Sequence, residues 1–584
     1  MNKYNKRIWR VFLIFFIAFI IIDLRLFYLQ IVKHEFYKKK SKAQQERIVP
    51  ISAKRGDILD RNEELLATSL TAYSIYADTT EMKDRQQVVS ALNAHLNINT
   101  AALLSRDSHF IWIKRKVSPE IKDKIKLPGI HFLPDIKRAY TCNGSAGQLL
   151  GFVNIDDEGI SGLEYFMNKI LKGKPGSMIL ENDPSGKSIY SYNQKIVSAK
   201  NGNKIQLTID KNIQFMMENE LKKVVTNFQA DQGVAILMDL SNGEILGMAN
   251  YPLYDPNNYF DYSDPKVFHN NAVGMAFEPG SIMKLFTMAS AFEEHAIKVK
   301  QKLYIPASLV VGGSIIEEAH ELESATKDIS EILIKSLNVG AAMVGLKLGK
   351  DKLYKYLNLL EFGKKTGINL PGENIGTLTN SKGWREVDLG RISFGYTMSA
   401  TPLQILKAAS VFGNDGYLIE PRIIYNPKVK NKRYKRVYSE RVTKIMRQLM
   451  QRTVDEGTGE LTKIEGFTVG GKTGTARRFS GETNSYVPGS YNNSFVGMFP
   501  VSAPKFSLIV VIVNPRLNYF ASQTAVPAFK GIASGVLRYY RYNPDNPVTS
   551  NISIARPKPF IIPFISPVTK NNEVTANTDL NVND

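Results

Sequence analysis

A proline-glycine break at Pro279-Gly280 is followed by apolar residues at helical spacing: Leu285, Phe286, Met288, Ala289, Ala291 and Phe292. That pattern sets Ser281 in the first turn of a buried helix. Lys284, three residues on, projects from the same face within reach of the Ser281 hydroxyl. A serine hydroxyl is a poor nucleophile until a neighbouring base takes its proton. A lysine can be that base when burial and the positive end of a helix lower its pKa. The same Ser-x-x-Lys pattern recurs at Ser263-Lys266, Ser324-Lys327 and Ser502-Lys505. The pairs at Ser263 and Ser502 each enclose a proline. Only Ser281 opens an apolar helix ahead of two further motifs.

Those motifs come in order. Ser336-Leu337-Asn338 lies in a helical region, and Lys472-Thr473-Gly474-Thr475 follows an expected strand at 467–469 and the pair Gly470-Gly471. Glycines there let a substrate backbone approach closely. Each motif has decoys: Ser191-Tyr192-Asn193 and Ser490-Tyr491-Asn492 for the first, and Lys365-Thr366-Gly367, in a loop, for the second. A Ser-His-Asp hydrolase is a poor alternative. No serine sits in a Gly-x-Ser-x-Gly elbow, and the 7 histidines, His295 and His320 among them, are scattered. No His-Glu-x-x-His occurs and Cys142 is the only cysteine, so the sequence implies neither a metal nor another cofactor, and no internal disulfide.

At 584 residues the chain exceeds one ordinary domain, and 43% apolar content is ample for real cores. A net charge of +20 implies anionic surroundings. No zinc-finger or RNP-like stretch supports nucleic acid. Lys3, Lys6, Arg7 and Arg10 precede an unbroken apolar run at 11–22, which resumes after Asp23 and Arg25. With no small-x-small cleavage site behind it, this reads as an uncleaved span over 8–29, its short basic end (1–7) in the cytoplasm. Everything beyond residue 30 then lies outside the membrane.

Residues 30–205 read as an elongated mixed α/β pedestal of dimerisation type. A polar, Lys-rich helix or stalk to about 47 leads to strands around Arg55-Gly56 and at 72–77. The stretch 80–127 reads as largely helical, and the pedestal's charged residues as turns and solvated faces. A second domain spans 206–543: a helix at 213–228, strands at 233–239 and 245–249 joined at Asn242-Gly243, a helical stretch from 329 to about 360, and late strands at 467–469, 495–498 and 506–513. Strands at both ends with helices between imply an α+β fold, one central antiparallel sheet flanked by helices. Pro- and Asn-rich sequence over 544–584 reads as a disordered tail.

The ordered triple Ser281-x-x-Lys284, Ser336-x-Asn338 and Lys472-Thr473-Gly474 resembles the serine penicillin-recognising enzymes. Arg55-Gly56 with Asp60-Arg61-Asn62, the run Gly159-Ile160-Ser161-Gly162-Leu163-Glu164, and Ile392-Ser393-Phe394-Gly395-Tyr396 look like class B penicillin-binding proteins. Tyr76-Ala77-Asp78, Trp112-Ile113-Lys114-Arg115 and the strands from Phe495 look most like the division-specific septal transpeptidases of the FtsI type. The chain departs from that family at Lys137-Arg138-Ala139-Tyr140-Thr141-Cys142, at Ile282, and at Thr397, where a glycine is usual.

The resemblance implies a serine D,D-transpeptidase that cross-links stem peptides of septal peptidoglycan, with weak D,D-carboxypeptidase activity besides, and that β-lactams inhibit covalently. Ser281 is then the nucleophile and Lys284 its base. Ser336 and Lys472 relay the proton, and Asn338 holds the substrate amide. Lys472, Thr473, Gly474 and Thr475 bind the terminal carboxylate, and the backbone N–H groups of Ser281 and Thr475 form the oxyanion hole. The implied partners are the inner membrane through one helix, a septal glycan polymerase of the SEDS type and other division proteins, with the catalytic domain in the periplasm at the septum. An elongation-specific relative and a β-lactam sensor or β-lactamase share the triple. A β-lactamase needs neither pedestal nor anchor, and a sensor needs further membrane spans or a cytoplasmic domain.

Overall fold

The computed structural model describes residues 3–105, 107–108, 110–182, 188–189, 196–319, 323–428, 433–481, 483–518 and 520–546. Helix α1 (Lys3–Phe27) runs through a π-helical turn and, after Lys33, into α2 (His34–Gln45). No residue of Tyr4–Val32 is buried by the rest of the protein. An apolar cylinder of that length with no protein against it suits the hydrocarbon of a bilayer. It is the one helix among the described residues long and apolar enough to cross a membrane.

The pedestal is built on strands β1 (Ile58–Leu59) and β2 (Leu65–Ala77), helix α3 (Arg85–Leu96), and strands β3 (Ile111–Val117), β4 (Ile130–Tyr140) and β5 (Ile205–Gln206). Their order is β3-β2-β1-β5, with β4 also pairing β2. One face buries Ile75, Ala77, Ile113 and Ile130 against Val88, Leu92 and Leu96 of α3. The expected helical stretch 80–127 is therefore interrupted by β3. Its Ile111-Trp112-Ile113 is rich in β-branched and aromatic residues and finds a ladder partner in β2.

A second correction concerns the pedestal's charges. Arg55 and Arg138 are not on solvated faces; both donate to Glu164, which is 0% exposed, at 2.5 and 2.6 Å. Burial without mutual pairing would leave these groups at a cost of several kcal/mol. The triad pins the chain entering the pedestal to the Gly159–Glu164 loop.

The second domain contains α4 (Lys211–Asn227), β6 (Gln232–Asp239), β7 (Ile245–Tyr251), α5 (Met283–Glu293), α6 (Ile329–Ile334), α7 (Asn338–Leu348), α8 (Pro402–Gly413), α9 (Glu440–Glu456), β8 (Gly470–Ser480), β9 (Ser485–Phe499), β10 (Phe506–Val513) and α10 (Ala525–Tyr539). The sheet order is β7-β6-β10-β9-β8, antiparallel throughout. Leu508, Val510 and Ile512 face Met217, Leu221, Phe529 and Ile532 of α4 and α10. Ile509, Val511 and Val513 pack on the other side, in the cluster that holds Phe286 of α5 and Leu403 of α8. Helices on both faces explain why β10 is apolar without a break from Leu508 to Val513.

Two further expectations change. The strand placed at 467–469 is β8, beginning at Gly470, so Lys472 lies within a strand, not after one. In its Gly-Gly-Lys-Thr-Gly run only Thr473 favours a strand; the ladder to β9, with Lys472 opposite Val496 and Gly474 opposite Ser494, creates it. The helical region 329–360 breaks at Ser336, whose φ is +61°. Residues 544–546, assigned to the tail by sequence, are held: Asp545 accepts from Thr468 N at 2.8 Å, and Asn546 N donates to Gly466 O at 3.1 Å. The rest of that tail, 547–584, lies outside the described residues, as do His320 and the decoy at Ser191.

Candidate active site

The nucleophile turn is assembled from backbone contacts that exclude side chains. Gly280 has φ +57° and its N–H donates to Gly395 O at 3.1 Å. A Cβ on Gly395 would sit 2.1 Å from Gly280 O, so the two segments meet this closely only because residue 395 is glycine. Residues Gly280–Ile282 form a 3₁₀ turn that feeds α5. Strand β8 lies against this turn: a Cβ on Gly474 would stand 2.8 Å from Pro279 O and 2.5 Å from Ser494 Oγ. Ser281, partly exposed, thus faces the strand that carries Lys472 and Thr475.

Lys284 is 0% exposed, and its Nζ lies 2.6 Å from Ser336 O, 2.7 Å from Asn338 Oδ1 and 3.3 Å from Ser336 Oγ. Lys472, also 0% exposed, places its Nζ 2.9 Å from the same Ser336 Oγ, 3.1 Å from Thr473 O and 3.2 Å from Thr473 Oγ1. Ser336 therefore bridges the two amines. Its left-handed backbone is uncommon for a serine, and the hydrogen bonds around it hold it there. Among the described residues no hydrogen bond engages the Ser281 hydroxyl; Lys284 turns to Ser336 and Asn338 instead. Thr475 Oγ1 accepts from Ala521 N at 3.2 Å.

Burial is the main force on both amines. It lowers the Lys284 pKa to about 7, against the opposing pull of the Glu318 carboxylate. Lys472 is held well below the usual lysine range by burial first and then by repulsion from Lys284. Each is thereby brought toward neutrality at physiological pH, which is what a proton acceptor requires.

Sequence reasoning missed two contributors. Glu318 accepts from Asn338 N at 2.6 Å and Val339 N at 2.9 Å, an anion on the N-terminus of α7 that fixes Asn338. Thr458 lies 2.8 Å from Thr473 through their hydroxyls. Neither carries a local signal, since both act across the fold. The decoys stay apart. Ser263, Ser324 and Ser502 are exposed and open no apolar helix, Ser490 bonds Asn514 at 2.7 Å, Lys365 is exposed in a loop, and His295 is exposed past the end of α5.

Thr397 sits beside this turn with φ +61°, and its N–H donates to Glu278 at 2.9 Å. A β-branched residue in that region carries about 1–2 kcal/mol of strain, partly offset by the greater freedom glycine has when unfolded. Thr397→Gly is expected to raise the thermal midpoint of the detergent-purified protein by about 1 °C or more. A lower midpoint would show that the Thr397 side chain is needed.

Comparison with known proteins covers both halves of the chain. Residues 50–207 match the penicillin-binding protein dimerisation domain, and residues 233–534 match the penicillin-binding protein transpeptidase domain. A probable peptidoglycan D,D-transpeptidase, PbpC of Pseudomonas aeruginosa, is 32% identical over 93% of this chain and 97% of its own. FtsI of Escherichia coli is 29% identical over 89% of this chain and 90% of its own. A peptidoglycan synthetase structure from Bifidobacterium adolescentis shares the fold, with a TM-score of 0.67 at 24% identity over 87% of this chain and 99% of that one. With its dimerisation and transpeptidase domains in that order, the chain belongs to the class B penicillin-binding proteins, the serine D,D-transpeptidases of peptidoglycan.

Proposed function

We propose that this transpeptidase cross-links the septal wall during division, with Ser281 as its nucleophile. The observation that carries the catalytic assignment is the convergence of two buried amines, Lys284 and Lys472, on Ser336 Oγ beside the Ser281 turn. Ser281 Oγ attacks the carbonyl carbon between the two terminal D-alanines of a stem peptide, and Lys284 Nζ accepts its proton. The C–N bond breaks. The proton passes by Ser336 and Lys472 to the departing amine of D-alanine, leaving an ester on Ser281. Asn338 hydrogen-bonds the substrate amide. Lys472, Thr473 and Thr475 hold the terminal carboxylate, while Gly474 keeps the strand close enough to reach it. The N–H groups of Ser281 and Thr475 stabilise the oxyanion, each worth ~3 kcal/mol in well-studied hydrolases. An amine of a neighbouring stem then forms the new amide, the ester C–O bond breaks and Ser281 regains its proton. A β-lactam enters at the first step and stays.

The septal assignment is supported by relatives named FtsI, 29% to 32% identical, and by the pedestal motifs. It implies that α1 holds the protein in the inner membrane at the septum and offers a face to a SEDS-type glycan polymerase. A fluorescent fusion should concentrate at midcell, and depletion should give filaments that elongate without septating. Round cells, with the fusion spread along the side wall, would transfer the protein to elongation.

A further inference from the structure

A hairpin that belongs to none of the three motifs ends against the paired amines. Its strands, Ser308–Val311 and Ser314–Glu317, turn at Gly312-Gly313, whose φ values of +53° and +78° are those a two-residue hairpin turn requires. Val311 and Ile316 are buried in the cluster that holds Phe286 of α5. A Cβ on Gly390 would stand 2.9 Å from Ile316 Cδ1, so the second strand lies close on its support. The point at which the chain leaves the hairpin is thereby fixed.

Glu318 stands at that point, half-buried. Both of its carboxylate oxygens are engaged by the first residues of α7, Oε2 by Asn338 N at 2.6 Å and Oε1 by Val339 N at 2.9 Å. The preceding Glu317 O accepts from Asn338 Nδ2 at 3.2 Å. These contacts settle which way the carboxamide points. With Nδ2 toward the hairpin, Oδ1 turns to Lys284 Nζ at 2.7 Å. The reverse orientation would set two donors together at Lys284 and two carbonyl oxygens together at Glu317.

Charge acts along the same path. Among the described residues Glu318 opposes the effect of burial on Lys284, and Lys284 in turn repels Lys472 of β8. The other side chains that meet Lys284 Nζ, Ser336 and Asn338, are uncharged, as are its neighbours from Gly280 to Phe292 on the nucleophile turn and α5.

We propose that Glu318 is a positioning residue for acylation, acting through Asn338 on the Lys284 amine and on the substrate amide together. Its two-pronged grip sets where Asn338 stands. Its charge keeps the neighbouring amine a stronger base than burial alone would leave, and a base is most effective when its proton affinity lies near the working pH. This rests on Lys284 being the base, as assigned above.

The test follows the rate of acylation by a fluorescent penicillin across pH, with the full-length protein in detergent. Glu318→Gln keeps the shape and removes the charge. Its plateau rate should fall about tenfold, because an amide N–H loses a charged acceptor. Its acid-side midpoint should fall by about half a pH unit or more, because the neutral amine is no longer opposed by an anion. Glu318→Asp should lose rate yet keep the wild-type midpoint. A purely structural role would lower the rate at every pH and leave the midpoint in place. An unmoved or raised midpoint in Glu318→Gln would therefore overturn the proposal, as would a midpoint that falls equally in Glu318→Asp. A wild-type profile with no acid limb would remove Lys284 as the base and this proposal with it. An acid limb that Glu318→Gln leaves in place would remove this proposal alone.

Discussion

Ser281→Ala should carry no covalent label after exposure to a fluorescent penicillin, while the wild type labels fully. The loss should exceed about 10³-fold, because the acyl-enzyme cannot form without the nucleophile. Folding is a poor explanation for that outcome. Ser281 is partly exposed and its hydroxyl enters no hydrogen bond among the described residues, so the deletion removes one oxygen and little packing. A surface-type substitution of this kind shifts stability by roughly 0.5 kcal/mol, and an unchanged melting curve checks this. Peptide mapping of the labelled wild type should find the drug on the peptide that contains Ser281. Label on Ser263, Ser324 or Ser502 would overturn the assignment, and their surroundings say why it is not expected: each is exposed, and among the described residues none is hydrogen-bonded to a buried amine.

Much of this site is legible in the chain because each motif has a local cause. Pro279-Gly280 breaks the chain, and the apolar spacing behind it predicts α5, so the position of Ser281 and Lys284 follows from one stretch. Strand β10 is equally legible, since a segment buried on both faces reads as a near-continuous apolar run, here from Leu508 to Val513. Long-range effects are not. Lys472-Thr473-Gly474 reads as following a strand, and only the register with β9 places it within one. The burial of Arg55, Arg138 and Glu164 depends on segments up to 109 residues apart meeting, while each alone reads as a surface charge. Glu318 is the clearest omission. It fixes Asn338 and raises the Lys284 pKa against burial, yet nothing in its neighbours marks it.

Lys284→Arg should reduce acylation by about 10²–10⁴-fold, the range of a lost general base. The reasoning turns on charge more than on size. Lys284 can act as a base because burial holds its pKa to about 7, leaving much of it neutral at physiological pH. A guanidinium stays protonated throughout that range and cannot take the Ser281 proton. It would also put a permanent charge beside Lys472, whose own pKa the Lys284 charge already lowers. The same argument fixes the sign of the pH dependence in the wild type. Below about 7 Lys284 carries its proton and is inactive as a base, so kcat/KM for penicillin acylation should fall about tenfold per pH unit on the acid side. Above about 7 it should level off. Because the two amines share Ser336, the midpoint belongs to the pair. A profile flat between about pH 5 and 9, or an arginine variant that acylates at the wild-type rate, would mean that another group takes the proton.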